Sequence, residues 1–230
     1  MNKIYSKKIT DNEETGNIFW TTMSDLMLGL AIIFIMLFVI AMTGFSQQSI
    51  NQQKMKIEMS KQIEAALKES NIDVKINKMT GDLEIPAAAL FDLNSSVLTT
   101  QGKDLLSKLA PIYINTIFSN ENISKDIENI AVEGHTDSQT FSGVKSPDEQ
   151  FIKNMDLSLR RANSVAAYIL KTNYDKKNAS AFRKIIVVEG KSYNEPILVN
   201  GKEDYTKSRR VEIKLKVKNW NVASAFGLKI

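Results

Sequence analysis

A stretch of 19 residues without a charge, Leu26–Gly44, is the feature that most limits what this chain can fold into. A bilayer core about 30 Å thick needs about 20 helical residues, so we predict a transmembrane helix over 19–45. The run is longer than the apolar part of a cleaved signal peptide, and no small-residue cleavage pattern follows it. We therefore expect an uncleaved anchor. Three lysines within residues 1–18 favour a cytoplasmic N-terminal tail.

One acid, Asp25, lies just before this apolar run, five residues after Trp20. Five helical residues rise about 7.5 Å, so Asp25 lies inside the membrane boundary if Trp20 marks the interface. A charge at the centre of a membrane helix is unfavourable by about 2.5 to 3.5 kcal/mol, which usually implies a function or a partner. Thr21 and Gly29 share its helical face, as expected where a helix packs against protein or a water-lined path. Two interpretations follow: an ion-binding acid, or a helix N-cap in the headgroups.

The composition excludes several classes of site. The chain has no cysteine and one histidine, which rules out disulfides and thiolate metal sites and argues against an all-protein zinc site. The net charge of +4 comes from basic residues scattered among acids, without the basic clusters of a nucleic-acid-binding protein. His135 is the only histidine available as a catalytic base, and no serine lies in a nucleophile elbow. We expect no enzyme activity and no bound cofactor or metal.

A linker helix is predicted over 46–72. The segment is rich in Gln, Lys, Glu and Met and lacks Pro and Gly. Ile50, Ile57, Ile63 and Leu67 recur in it at a loose helical spacing. Two interpretations remain open for this stripe: it pairs with a second copy of the chain, or it lies on the surface of the domain that follows.

From residue 73 onward, short strand patterns alternate with helical ones. The predicted elements are a hairpin over 74–85, a helix over 101–118, a strand over 127–133, a polar loop over 138–154, a helix over 157–170, and strands over 185–188 and 211–217. Such a pattern packs as helices on one face of a sheet. The expected fold class is α+β: a single N-terminal transmembrane helix, a linker helix and an α/β two-layer sandwich over 73–218, before a tail over 219–230.

Four short strings stand at the ends of these elements. They are Glu133–Asp137 (EGHTD), Asn154–Ala162 (NMDLSLRRA), Val188–Gly190 (VEG) followed by Pro196, and Ser208–Ile213 (SRRVEI). An acid at a strand end and an arginine at a helix start can face one cleft, where the acid takes an ammonium and the arginine a carboxylate. That pair suits a zwitterionic ligand such as meso-diaminopimelate. The alternative is that Asp137 and Arg161 form only a structural ion pair.

In their order and spacing these strings resemble the OmpA-like peptidoglycan-binding domain, and the resemblance covers about residues 83–217. It implies that Asp137 and Arg161 bind diaminopimelate. It also implies lesser roles for four residues: Asn154, Leu157 and Ser158 shape the pocket and helix start, and Arg209 lies near the rim. The loop over 138–153 is longer than in compact members of that family. It could cover the pocket or reach a partner.

The order of segments along the chain resembles the MotB family, the B subunits of ion-driven stator units. The resemblance rests on a short tail, one membrane helix with Trp20 five residues before Asp25, a linker and an OmpA-like domain. It implies that Asp25 carries the translocated ion, H+ or Na+. It also implies a homodimer within a pentamer of MotA/ZorA-like membrane subunits (5:2). The chain would cross the bacterial inner membrane once, with its C-terminal domain in the periplasm and bound to peptidoglycan.

The short chain and the Leu28-Gly29-Leu30 sequence resemble the B subunit of Zorya anti-phage defence systems. A flagellar stator usually carries an amphipathic plug and a longer linker, for which residues 47–70 are a weak candidate. A related motor and a passive cell-wall tether without ion flow are the remaining interpretations. The resemblance therefore favours a defence motor and leaves the other three open.

Overall fold

The computed structural model of the chain describes residues 2–70, 72, 74–119 and 121–218, with side chains described for these except 2–17, 44–49, 51–52 and 121–123. The chain divides into two compact units, Met1–Ile50 and Asn51–Ile230. The predicted tail over 219–230 lies outside the described residues.

The first helix, α1, runs from Asn2 to Glu69. Its segment Ile18–Thr43 is long and apolar enough to cross a membrane, and none of its side chains is buried within the chain. The predicted boundary near residue 19 is not a break in secondary structure, because the helix is already formed there. Asp25 therefore lies in the interior of a helix. This excludes the N-cap interpretation, since a cap residue stands at a helix end.

The second unit carries a five-stranded mixed sheet in the order β1-β2-β7-β3-β4, with β3 parallel to β4 and the other neighbours antiparallel. Its strands are β1 Lys75–Ile76, β2 Leu83–Pro86, β3 Ile127–His135, β4 Ile186–Gly190 and β7 Arg210–Val217, and β5 Leu198–Val199 pairs with β6 Lys202–Glu203 in a separate hairpin. The helices are α2 Ala87–Leu90, α3 Thr100–Ser119, α4 Glu121–Asp126, α5 Pro147–Ile169, α6 Ala179–Ile185 and α7 Tyr205–Ser208. The predicted α+β class is confirmed.

One face of the sheet is apolar and is covered by helices. Strand residues at alternate positions, such as Ile130 and Val132 of β3, contact apolar side chains of α3, α5 and α6. The partner of Val132 on β7 is Ile213, which is also buried. Because side chains alternate between faces along a strand, this register places a continuous apolar layer under the helices. It forms the core of the unit.

The opposite face of the sheet is charged. It carries Glu133 at the centre, with Lys214 and Lys216 on β7, and Glu189 on β4 directly beside it. Glu133 is 1% exposed, and its carboxylate lies 2.7 Å from the Lys214 ammonium. Burial raises the pKa of Glu133, but the neighbouring His135 and Lys214 outweigh the effect of burial and lower the pKa to about 2. The outward lysines of β7 neutralise this buried acid.

The C-terminal part of α1 belongs to the core of the second unit. Met59, Ile63 and Leu67 are buried there at helical spacing. The Ser60 hydroxyl donates to the carbonyl of Lys78, at 2.6 Å, in the turn between β1 and β2. The stripe at Ile63 and Leu67 thus packs on the following domain of the same chain, as one of the two sequence interpretations stated.

The helix α5 begins at Pro147, inside the segment predicted as a loop. Ser146 is its N-cap, with its hydroxyl accepting from the Glu149 N–H at 3.2 Å. Glu149 in turn accepts from the Lys145 N–H at 3.1 Å. A proline at the first helical position and acids in the first turn suit a helix start, so Pro147 begins this helix and does not break it. The prediction of a loop to residue 154 was wrong for its last eight residues, since 147–154 are helical.

Candidate ligand pocket

An open pocket of about 180 Å³ lies at one edge of the sheet in the second unit, where the ends of several elements converge. The segment after β3 contributes Asp137, the middle of α5 contributes Arg161, and the residue after α7 is Arg209. The full lining is Leu93, Asn94, Thr136, Asp137, Gln139, Thr140, Phe141, Ser142, Asn154, Leu157, Arg161 and Arg209. Charged groups from distant parts of the sequence thus share one concave surface.

Asp137 is fixed by its own chain. It is 7% exposed and forms an ion pair with the Arg209 guanidinium. Its other carboxylate oxygen accepts from the Gln139 N–H at 3.2 Å. The preceding Thr136 N–H donates to the Ser192 carbonyl at 2.9 Å, which continues the line of β3 past its end. Asp137 therefore offers a preoriented negative group, and its ion-pair partner is Arg209. The alternative of a structural ion pair between Asp137 and Arg161 had named a different partner.

Arg161 is buried at 3% exposure and is held on two sides. Its Nε donates to the Ser95 carbonyl at 2.8 Å, and its guanidinium lies over the Phe91 ring at 5.4 Å. Burial and the nearby Arg209 lower the pKa of Arg161 from its ordinary value, while Asp137 raises it. An arginine remains charged in a protein, so a buried guanidinium beside a second one favours an anionic group in the pocket.

Ser158 does not line the pocket. It is fully buried, where its hydroxyl accepts from the Ser192 N–H at 3.1 Å and donates to the Met155 carbonyl at 2.9 Å. A Cβ on Gly134 would lie 2.0 Å from the Ser158 carbonyl oxygen, and one on Gly190 would lie 2.9 Å from its hydroxyl. The two Glu-Gly pairs of β3 and β4 therefore let α5 approach the sheet closely at Ser158.

The structure brings five of the six predicted binding residues together. Asp137, Asn154, Leu157, Arg161 and Arg209 all line the pocket. The expected position of Asn154, Leu157 and Ser158 at a helix start was wrong, because α5 begins at Pro147 and these residues lie in its interior. Asn154, Leu157 and Arg161 follow one another along α5 at intervals of three and four residues, which places them on one face of the helix.

Seven lining residues were not among the predicted ones: Leu93, Asn94, Thr136, Gln139, Thr140, Phe141 and Ser142. The last four belong to the loop over 138–153, for which two roles were predicted: covering the pocket or reaching a partner. Phe141, Leu93 and Leu157 add an apolar surface beside the charges. A carboxylate facing an ammonium, a guanidinium facing a carboxylate and apolar contact between them are what a zwitterion on an alkyl stem requires.

The charged face of the sheet lies beside a cluster of side chains of the kinds that bind metal ions. Glu133, His135 and Glu195 place one ligand atom each within 4.8 Å of one another. The Lys214 ammonium lies 2.7 Å from Glu133 and 3.6 Å from Glu195, so a lysine already supplies the positive charge between them. The His135 Nε2 lies 3.7 Å from the Glu133 carboxylate, too far for a hydrogen bond. We assign no metal to this cluster.

Comparison with known proteins places the chain in a family. Residues 90–210 match the OmpA family. The Zorya protein ZorB of one Escherichia coli strain is 30% identical over 94% of this chain and 94% of that protein. The chain belongs to the OmpA family and to the family of Zorya ZorB proteins. A ZorB protein of a second E. coli strain is 24% identical and covers 89% of this chain and 82% of its own length.

The fold also has a counterpart among solved structures. A MotB-like protein from Desulfovibrio vulgaris superposes with a TM-score of 0.52 at 19% identity, covering 73% of this chain and 99% of that one. At this identity the likeness concerns the fold. The predicted resemblance to MotB-like proteins with an OmpA-like domain is confirmed, as is the assignment within them to the Zorya B subunits.

Proposed function

We propose that this chain is the wall-anchored B subunit of an ion-driven inner-membrane motor of the Zorya type. The observation that carries the proposal is the pocket in which Asp137, Arg161 and Arg209 converge. Its charges match the ammonium and carboxylate of meso-diaminopimelate, the zwitterionic residue of peptidoglycan stem peptides. Membership of the OmpA and ZorB families supports this ligand class.

The second part of the proposal concerns Asp25. Its side chain lies in the exposed apolar segment Ile18–Thr43, and among the described side chains none forms an ion pair with it. An ionisable residue in a membrane span is a candidate ion carrier because the bilayer itself cannot stabilise its charge. We propose that Asp25 binds H+ or Na+ at the surface of a MotA/ZorA-like membrane partner. Two copies of the chain would stand inside a ring of five such subunits.

The two parts depend on each other. An ion crossing 100 mV releases about 2.3 kcal/mol, which can rotate a ring only if the central subunit is held still. Binding of the second unit to peptidoglycan would supply that resistance from the periplasmic side. The span would cross the inner membrane once, with the N-terminus in the cytoplasm. We propose anti-phage defence as the use of this motor because of the ZorB family membership.

Wall binding is tested with the full chain in detergent, sedimented with purified diaminopimelate-type peptidoglycan sacculi. Asp137→Ala combined with Arg161→Ala is expected to abolish cosedimentation. The matched control is Asp156→Ala with Arg160→Ala, an exposed ion pair of 2.9 Å on the same helix that does not line the pocket. Equal binding by the two double variants, or no binding by the unmodified chain, would contradict wall anchoring.

The passive tether and the motor lead to different expectations for a substitution at Asp25. If the chain is a motor subunit, Asp25→Asn removes phage protection and leaves sedimentation with sacculi unchanged. A tether tolerates that change and loses its function with the pocket variants alone. If the Asp25→Asn chain protects against phage as well as the unmodified chain does, the motor proposal is refuted and the passive tether is favoured.

A further inference from the structure

The loop between β3 and α5 forms one side of the pocket through residues 139–142. Together with Ser138, these residues are here called the wall loop. Loops without secondary structure are usually the mobile parts of a site. The wall loop differs, because side chains from outside it bond to its backbone at three of its five positions, 138, 139 and 141. What it does depends on the pocket being a ligand site, so the inference rests on the proposed function.

Gln150 holds the wall loop from the side of α5. Its side chain is 7% exposed, its Oε1 accepts from the Phe141 N–H at 3.0 Å, and its Nε2 donates to the Gln139 carbonyl. A primary amide is suited to this because it accepts and donates at once. The reversed amide would face donor to donor and acceptor to acceptor, so the bonding network fixes its orientation.

Glu203 holds the same loop from the opposite side. It lies on β6, in the short hairpin, and its carboxylate accepts from the Ser138 N–H at 3.2 Å and from the Ser138 hydroxyl. Asp137, itself a pocket residue, accepts from the Gln139 N–H. Three backbone N–H groups and one carbonyl of a five-residue loop are thus bonded to side chains, which leaves the loop little conformational freedom.

The position of the wall loop bears directly on the charged groups. The Gln139 side-chain carbonyl lies 3.4 Å from the Arg209 guanidinium that pairs with Asp137. Phe141, bonded through its own N–H to Gln150, contributes an apolar part of the lining. A shift of the loop therefore moves both a polar neighbour of the ion pair and an apolar contact surface.

We propose that Gln150 is a positioning residue for ligand binding, which acts through the wall loop and makes that loop a fixed, affinity-determining side of the pocket. It does not line the pocket itself. Its bonds fix the loop before the ligand arrives, so that less conformational freedom is lost on binding. The ligand concerned is a stem peptide that extends from the charged groups across the loop.

The test measures the affinity of the full chain in detergent for the tripeptide L-Ala-γ-D-Glu-meso-diaminopimelate by titration calorimetry. Gln150→Met keeps the length of the side chain and removes both bonds to the loop, and we expect about tenfold weaker binding. Lys153→Met is the matched control, an exposed position one turn further along α5 that is bonded only to Glu149. It should bind as tightly as the unmodified chain.

Action through the loop is separated from a general effect on folding by a double-mutant cycle. When Gln139→Ala and Phe141→Ala have removed the loop's side-chain contacts, Gln150→Met should weaken binding by less than twofold further. A full tenfold loss in that background would overturn the positioning role. If Gln150→Met has no thermal unfolding transition, Glu203→Met tests the same loop from its other side, with the same expected loss and the same cycle.

The outcomes separate this inference from the proposed function. An unmodified chain that does not bind the tripeptide contradicts the ligand class, and the inference falls with it. An unmodified chain that binds, together with a folded Gln150→Met variant of equal affinity, contradicts the inference alone.

Discussion

Asp25 and Asp137 are both proposed ligand-binding acids, but they differ in burial and in the groups that surround them. Asp137 is buried, paired with Arg209 and bonded to a backbone N–H. Asp25 lies on an exposed segment, and among the described side chains none neutralises it. The pocket is thus assembled from one chain, whereas the proposed role of Asp25 requires groups from a membrane partner. A preoriented site suits firm anchoring, and an unneutralised acid suits binding and releasing an ion.

The largest effect that tests this contrast is expected at Asp25. Asp25→Asn keeps the size and polarity of the side chain and removes its ability to carry charge, so ion flow should stop completely. The measurement is ion uptake into liposomes that contain the chain together with its membrane partner, driven by a membrane potential. Thr22→Val is a control in the same segment, because the Thr22 hydroxyl bonds only to carbonyls of its own helix. Flux through the Asp25→Asn chain would refute the ion-carrier role.

The two parts of α1 also differ in burial: its C-terminal part packs in the core of the second unit, and its apolar segment is exposed. Ile63 is fully buried in the core of the second unit. Ile63→Ala should lower the free energy of unfolding by about 2 to 5 kcal/mol, measured by denaturant unfolding of the full chain in detergent. Ile50→Ala, at a position 42% exposed, should change it by less than about 0.5 kcal/mol. Equal effects at both positions would show that this part of α1 is not packed in the core.

A smaller effect is expected from Arg161→Lys, which keeps the charge and loses the planar fork. A lysine cannot reproduce both the bond to Ser95 and a two-point contact with a carboxylate, so we expect about tenfold weaker binding of diaminopimelate-containing peptide. Arg160→Lys, on the exposed side of the same helix, is the control. If both variants bind alike, Arg161 does not contact the ligand through its fork.

The smallest expected effect concerns the pH dependence of stability and Glu133. Its pKa of about 2 lies below the ordinary value of 4.5, so its stabilising contribution is complete above pH 4.5 and is lost as the pH falls toward 2. Glu133→Gln should therefore flatten the fall in unfolding free energy over this window, measured by denaturant titrations from pH 6 to 2.5. Lys214→Met should flatten it in the same direction, because Lys214 holds the pKa of Glu133 low. An unchanged slope in both variants would remove Glu133 from the acid response.

Much of the fold follows from sequence periodicity. The helix predicted over 101–118 is α3 Thr100–Ser119, and the strand predicted over 211–217 is β7 Arg210–Val217. These predictions were correct because an element with apolar residues on one side has only one face that can be buried in the core. The start of α5 was missed because the segment before Asn154 is polar and contains Pro147, although Ser146, Pro147 and Glu149 form a recognisable helix start.

The candidate site was predictable in its residues and not in its pairing. Sequence strings pointed to Asp137 and Arg161, because an acid and an arginine at element ends can share a cleft, and the resemblance to OmpA-like domains added Arg209. They could not show that Arg209 is the ion-pair partner of Asp137, since the two are far apart in sequence and meet only when β3 and β7 pair. The bonds of Gln150 to the wall loop were equally hidden, because a glutamine in a polar stretch has no distinctive pattern.

The sequence by itself determined that a span near the N-terminus carries one acid and that an OmpA-like domain follows it, because length, apolar content and motif order are local properties. Only the tertiary structure decided that the C-terminal part of α1 packs in the core and that Arg209 neutralises Asp137. It also decided that the loop after β3 is fixed as one side of the pocket. Each of these depends on contacts between distant segments. The close approach of α5 to the glycines of β3 and β4 is likewise a contact between distant segments.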